Sequence, residues 1–370
     1  MKRLLYAAPA LALIALSPKT VGILGAIVMI GGLIFLHELG HFLMAKRMGM
    51  PVETFSLGFG TRLVGFRWRE TDVRLSVLPL GGYVKLAGYN PEEPDAEDPH
   101  GFLQQPFGKR MLFYSGGILA NVATTLLLLY AVGVDQARYP PAPVQLRVSA
   151  NSAAAAAGLQ DGDELRKIGN LRLPEADWND TIVPLIQSHP GVPLAIEVSR
   201  KGQIILLTAT PRLQGKIGLL GVQPLPGESS APPRALEARD FAKGLGLASK
   251  GTYGMALTVL KGYGRLVSGQ ASVKEIGGPV AIAKIGSDAA KAGWVAFLFT
   301  CAFISMNLAV LNALPIPFLD GGHMAILSFE KLRRKDLSIK VKERILTGGF
   351  FFLITLMGLV LALDLWRLKH

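Results

Sequence analysis

The chain has 370 residues, half of them hydrophobic and only 18% charged, against about 25% charged in an average soluble protein. The mean hydropathy is +0.36 and the apolar residues cluster into long runs, which argues against a soluble globular protein, a disordered tail or a coiled coil. The net charge of +12 comes from 39 Lys+Arg against 27 Asp+Glu, but no compact basic patch interleaved with aromatics accompanies it, so nucleic acid is not expected as a partner.

Residues 1–20 read as an N-terminal extension. Its apolar stretch at 4–16 is interrupted by Pro9 and followed by Pro18, and it is shorter than the ~20 residues a span needs. Lys2 and Arg3 ahead of it suit a signal peptide, but no small-residue cleavage site follows. Residues 21–47 form the first predicted transmembrane helix, apolar except for His37, Glu38 and His41 and ending in Lys46 and Arg47. Ionisable groups inside a span are costly and point to function.

Residues 48–100 read as a membrane-associated β segment and cytoplasmic loop. Residues 55–60 and 72–78 alternate by twos, as strands do. Gly58, Gly60, Gly81 and Gly82 mark turns or close backbone approach. A second transmembrane helix is predicted at 111–134, behind Lys109 and Arg110. Residues 144–212 read as a soluble α+β module with strand-like runs at 144–148, 194–198 and 204–208. Residues 213–293 combine a linker with an interfacial helical region.

The third helix, 294–323, carries Leu319-Asp320-Gly321 near its end. A basic loop at 324–344 and a fourth helix at 345–366 complete the chain. The expected fold is an α-helical polytopic membrane protein of about four transmembrane helices, with a membrane-associated β segment and one extracytoplasmic module. The single Cys301 excludes an intrachain disulfide framework and a multi-Cys zinc site, and reads as a buried, inert thiol. Both short inter-span segments are rich in Lys and Arg, which orients them to the cytoplasm and the module at 144–212 outside.

His37-Glu38-Leu39-Gly40-His41 is an H-E-x-x-H motif. On a helix the two histidines differ by about 400° of rotation and about 6 Å of rise, so both imidazoles point the same way and can share one metal ion. Glu38, about 100° round from His37, falls beside the metal rather than on it. Zinc polarises a carbonyl and lowers the pKa of water toward 7. Glu38 can then take the proton and pass it to the leaving amine. Two His and a Glu could instead be hydrogen-bonding glue between helices, but a divalent cation compensates charge that a membrane otherwise penalises.

A catalytic zinc needs a third protein ligand and an open position. Asp320 is the leading candidate, because Pro315, Pro317, Gly321 and Gly322 around it break the helix. Irregular backbone at membrane depth is tolerated where it is buried in protein or lines a wet cavity. His323 is the competing ligand, and a helix-capping role for Asp320 is the plain alternative.

With these motifs the chain resembles the site-2 proteases, intramembrane zinc metalloproteases, and among them the bacterial branch typified by regulator of sigma-E protease. The likeness rests on His37–His41 in the first helix and on Asn312-x-x-Pro315-x-Pro317-x-Leu319-Asp320-Gly321 in the third, with residues 55–60, 79–88 and 273–280 as further matches. The resemblance implies one Zn2+ per chain, held by His37, His41 and Asp320, with Glu38 as catalytic base.

It further implies roles near substrate or oxyanion for Asn312, Asn307 and Asn121, the last in Gly117-x-x-x-Asn121, where Ile118 replaces the family's usual Pro. Interhelical packing is the plain alternative for each Asn. The outer module resembles a PDZ domain at 151–163, with Ala153 for the usual Pro. One such domain fits here, where the typical branch member has two, and its expected partner is a peptide added at a sheet edge.

The expected function is cleavage of transmembrane segments of single-span membrane proteins, for example an anti-sigma factor or a remnant signal peptide, in the bacterial inner membrane. The active site would face the cytoplasmic side. The β segment would offer substrate an unpaired edge near Phe55, Gly58, Gly60, Gly81 and Gly82. The alternatives are a non-proteolytic PDZ-containing scaffold or receptor, and a metal transporter. The intact zinc motifs argue against the first, and the lack of an inverted repeat argues against the second.

Overall fold

The computed structural model describes residues 17–90, 92–94, 96–138, 144–173, 178–215, 217–226, 234–270 and 277–369. The apolar run at 4–16, parts of both predicted linkers and residues 271–276 lie outside the described residues. The chain forms two units, Met1–Val134 with Ala242–His370, and Asp135–Phe241.

Among the described residues of the first unit, four helices are long and apolar enough to cross a membrane: Thr20–Met48, Phe107–Gln136, Trp294–Ala313 and Ile339–Arg367. Helix α1 (Pro18–Arg47) starts where Ser17 accepts the Thr20 N–H, with Pro18 in the first turn, and ends on Lys46 and Arg47. It runs without a break through His37, Glu38 and His41.

The β segment is the pair β1 (Val52–Trp68) and β2 (Thr71–Leu86). Gly58, Gly60 and Gly81 have positive φ, and the register shifts repeatedly along the pair. As a result residues 54–57 pair on one side with 72–75 and on the other with 82–85. Phe55 therefore sits inside the sheet, 5% exposed and packed on Phe35 and Phe42. Of the residues expected at the edge, Phe55 is thus internal, whereas Gly82 lies on the strand 82–85, which pairs on one side only among the described residues. Gly58 is closed off as well, because a Cβ there would lie 2.8 Å from the Leu78 carbonyl oxygen.

Helix α2 (Phe107–Gln136) is longer at both ends than the predicted 111–134. In the second unit β3 (Val144–Val148), α3 (Ala153–Ala156), β4 (Glu164–Ile168), β5 (Leu171–Arg172), α4 (Val183–Gln187), β6 (Leu194–Arg200), β7 (Gln203–Ala209), β8 (Arg212–Gln214), β9 (Ile217–Leu219) and β10 (Val222–Pro226) follow one another. The main sheet runs β10-β3-β4-β6-β7 with β5 beside β4, and β8 and β9 form a separate hairpin. Its core is Leu146, Leu165, Ile168, Ile196, Val198 and Leu220 closed by Ile182 and Ile186. The Asp163 carboxylate is 1% exposed and bound by the Arg200 guanidinium at 2.7 and 2.8 Å.

The region expected to be interfacial contains helix α5 (Ala238–Val267). Helix α6 (Pro279–Ala292) packs along α1, with Met29 against Gly286. Its first turn is capped from α9 (Ile339–Lys369), where the Asp364 carboxylate accepts the Gly278 and Ala281 N–H groups at 3.1 Å each. Helix α7 (Trp294–Ala313) buries Cys301 and stops at Ala313, short of the predicted 323. Pro315 and Pro317 cannot continue it, Phe318 takes a positive φ of 81°, and Asp320 opens a new helix, α8 (Asp320–Arg333). Much of the predicted basic loop is therefore helix.

Candidate metal centre

Helical spacing on α1 stacks His37 and His41 one turn apart, and their Nε2 atoms lie 3.4 Å from each other. Asp320, the first residue of α8, directs Oδ2 to 3.4 Å from His37 Nε2 and 3.3 Å from His41 Nε2. The three offer ligand atoms within 4.8 Å of one another. Asp320 Oδ2 is buried with no hydrogen-bond partner. A buried carboxylate oxygen without a donor is expensive, and two imidazoles and a carboxylate are the donor set that zinc prefers. The residues therefore fit a zinc ion.

The other ring nitrogens define how the imidazoles are held. His41 Nδ1 lies 2.9 Å from the Phe113 carbonyl oxygen on α2, to which it donates, leaving Nε2 as the lone pair. His37 Nδ1 lies 3.0 Å from the Asn121 side-chain amide nitrogen. Asn121 is fully buried, and its Oδ1 has no partner. Turning the amide over gives the His37 Nδ1–H an acceptor in Oδ1, which again leaves Nε2 for a ligand.

Asn121 is locked by its neighbours, since its backbone carbonyl accepts from Thr125 and from Ser305 on α7 at 2.9 Å each. Glycine makes this approach possible. A Cβ at Gly40 would lie 2.2 Å from the Gly116 carbonyl oxygen, and one at Gly117 would lie 2.4 Å from both His37 Cε1 and His41 Nε2.

Glu38 points to the β segment, where a Cβ on Gly82 would lie 2.7 Å from its Cγ. Gly82 thus brings the outer strand of the hairpin up to the carboxylate. Three other sequence-nominated residues are not part of the cluster. Asn307 and Asn312 donate to the carbonyls of Phe303 and Leu308, one turn back in their own helix, at 2.9 and 3.0 Å. His323 stacks on Tyr114, with ring centroids 4.8 Å apart and planes 7° apart, and is absent from the donor group. The role of Asn121 beside His37 was hidden from sequence reasoning, because the two residues are 84 positions apart; the small Gly116 and Gly117 beside it were the available signal.

The model of Peptidase family M50 matches residues 25–356. A Campylobacter jejuni protein named as a zinc metalloprotease is 33% identical over 93% of both chains. Zinc metalloprotease RasP of Geobacillus kaustophilus is 28% identical, covering 93% of this chain and 98% of its own. Regulator of sigma-E protease RseP of Salmonella typhimurium is 29% identical, covering 92% and 98%. A match of this extent, on a chain with four apolar helices and a His-His-Asp donor group, establishes that the protein belongs to peptidase family M50, the site-2 proteases, and is an intramembrane zinc metalloendopeptidase.

Proposed function

We propose that the protein cuts the transmembrane segment of single-span membrane proteins in the bacterial inner membrane, with the metal centre toward the cytoplasm and the unit at 135–241 acting outside as a PDZ domain. The observation that carries the reading is the orphaned Asp320 Oδ2 facing both histidine Nε2 atoms. His37, His41 and Asp320 hold the zinc. When bound, zinc polarises the scissile carbonyl and acidifies water. Glu38 takes the proton from the attacking water and delivers it to the leaving amide nitrogen. Asn121 and the Phe113 carbonyl fix the tautomer and orientation of the two imidazoles.

A transmembrane helix hides its amides in its own hydrogen bonds, so substrate must be extended before attack. The free edge at 82–85 supports that step, because it can pair with an extended strand directly beside Glu38. Orientation is supported by the Lys- and Arg-rich short segments on either side of the spans. The PDZ reading rests on the resemblance at 151–163, supported by β10 at the end of the outer sheet, paired on one side among the described residues.

The test is cleavage of a tagged single-span substrate by protein purified in detergent. Wild type should cut. Glu38→Gln should retain one zinc per chain and lose at least ~100-fold in rate, the loss expected for a missing general base. Cleavage by Glu38→Gln at the wild-type rate overturns the assignment.

A further inference from the structure

We propose that the cavity beside His323 is the specificity pocket for a large apolar side chain of the substrate, within three residues of the scissile bond on its cytoplasmic side. This rests on the proteolytic reading above and adds to it the chemistry of what is selected. The cavity has a volume of about 440 Å³. A concave space of this size with mostly apolar lining can seat a large side chain.

Its position ties it to the metal centre from two sides. His323 lies one turn beyond Asp320 in α8. Tyr114 follows Phe113, whose carbonyl holds His41. On this proposal the cavity receives a peptide that leaves the scissile position along this side.

Much of the wall is apolar. Tyr89 and Tyr114 bond each other through their hydroxyls at 3.1 Å, so each spends its polar atom on the other and offers ring surface to the cavity. His323 lies flat on Tyr114. Phe102 closes against both tyrosines, with ring centroids 5.0 and 5.6 Å away. Ile326 from α8 and Leu346 from α9 complete the apolar lining. The charged residues that line the cavity, Arg110, Glu330, Lys342 and Glu343, suit the polar residues that follow a membrane span. The residue admitted next to the metal is therefore apolar and large, of Leu, Met or Phe class.

The experiment compares kcat/KM for tagged single-span substrates carrying Ala, Leu or Phe at each of the three positions on the cytoplasmic side of the cut. Wild type should prefer Leu or Phe over Ala at one of them by tenfold or more, the scale of discrimination of an apolar pocket. Ile326→Trp and Leu346→Trp fill the cavity from opposite sides and should reduce the Phe-over-Ala ratio at that position by tenfold or more, with one zinc still bound per chain. Leu346→Ala enlarges it and should raise the ratio for Trp over Leu. A ratio that none of the three variants moves, in enzyme that holds zinc and cuts, overturns the pocket. Failure of wild type to cut any member of the panel counts instead against the proteolytic reading.

Discussion

The two segments that build the metal centre are opposites in backbone design. Helix α1 is continuous through His37, Glu38 and His41. The segment between α7 and α8 is broken, with two prolines and a positive φ at Phe318 before Asp320. A straight helix aims two donors at one point from positions one turn apart, i and i+3 or i+4, and here the third arrives from elsewhere, on backbone free to turn. The continuous partner fixes direction and the broken one supplies reach. Each needs close contact with a neighbour: α1 with α2 at Gly40 and Gly116, the break with its own carbonyls at Gly321 and Gly322.

That contrast is broken most severely by adding methyl groups at the contact points. In Gly117→Ala the new Cβ falls 2.4 Å from both histidines, and in Gly322→Ala it falls 2.1 Å from the Ile316 carbonyl oxygen. The first displaces the donors of the rigid helix, the second the turn that carries Asp320. Both variants should lose bound zinc and cleave at least ~100-fold more slowly, the penalty of misplacing catalytic groups by about 1 Å. Normal zinc content in Gly117→Ala would show that α1 and α2 are free to separate.

A smaller effect sharpens the role of α2. Asn121→Leu removes the partner of His37 Nδ1 and should weaken zinc binding ~10–100-fold, read by competition with a chelator. Asn121→Asp, which keeps an acceptor, should recover most of it. Equal affinities in all three proteins would remove Asn121 from the centre.

The smallest expected effect lies away from the site, in the outer sheet. Burial pushes the Asp163 carboxyl up, but the Arg200 guanidinium and the Gln160 N–H outweigh it and hold its pKa below the usual aspartate value. Its stabilisation is therefore present above pH ~4, the unfolded-state value, and is lost as pH falls through the lower folded-state value. Arg200→Leu should cost this unit ~2 kcal/mol at neutral pH and flatten its stability profile below pH 4, followed by thermal unfolding of the full chain. An unchanged acid profile would show that the pair contributes nothing.

Much of this was legible in the sequence because the decisive features are local. H-E-x-x-H needs only helical spacing, and Pro315, Pro317 and Gly321 mark the break that frees Asp320. What was not legible depends on contacts distant in sequence or on side-chain torsions. Nothing local shows that 54–57 would be flanked on both sides, which takes Phe55 off the edge and leaves Gly82 on it. Asn307 and Asn312 turn their amides back onto their own helix, a torsional choice that spacing does not encode. Asn121 meets His37 only because α1 and α2 cross at paired glycines. Asp364 likewise reaches α6 across 86 positions of chain.

The most direct measurement is the zinc content of purified Asp320→Ala beside wild type, by elemental analysis after dialysis against a weak chelator. Wild type should retain one zinc per chain and Asp320→Ala should retain almost none, because two imidazoles on one helix do not hold the ion alone. One tightly held zinc per chain in Asp320→Ala would contradict the shared site, and with it the claim that the broken segment completes what the straight helix begins.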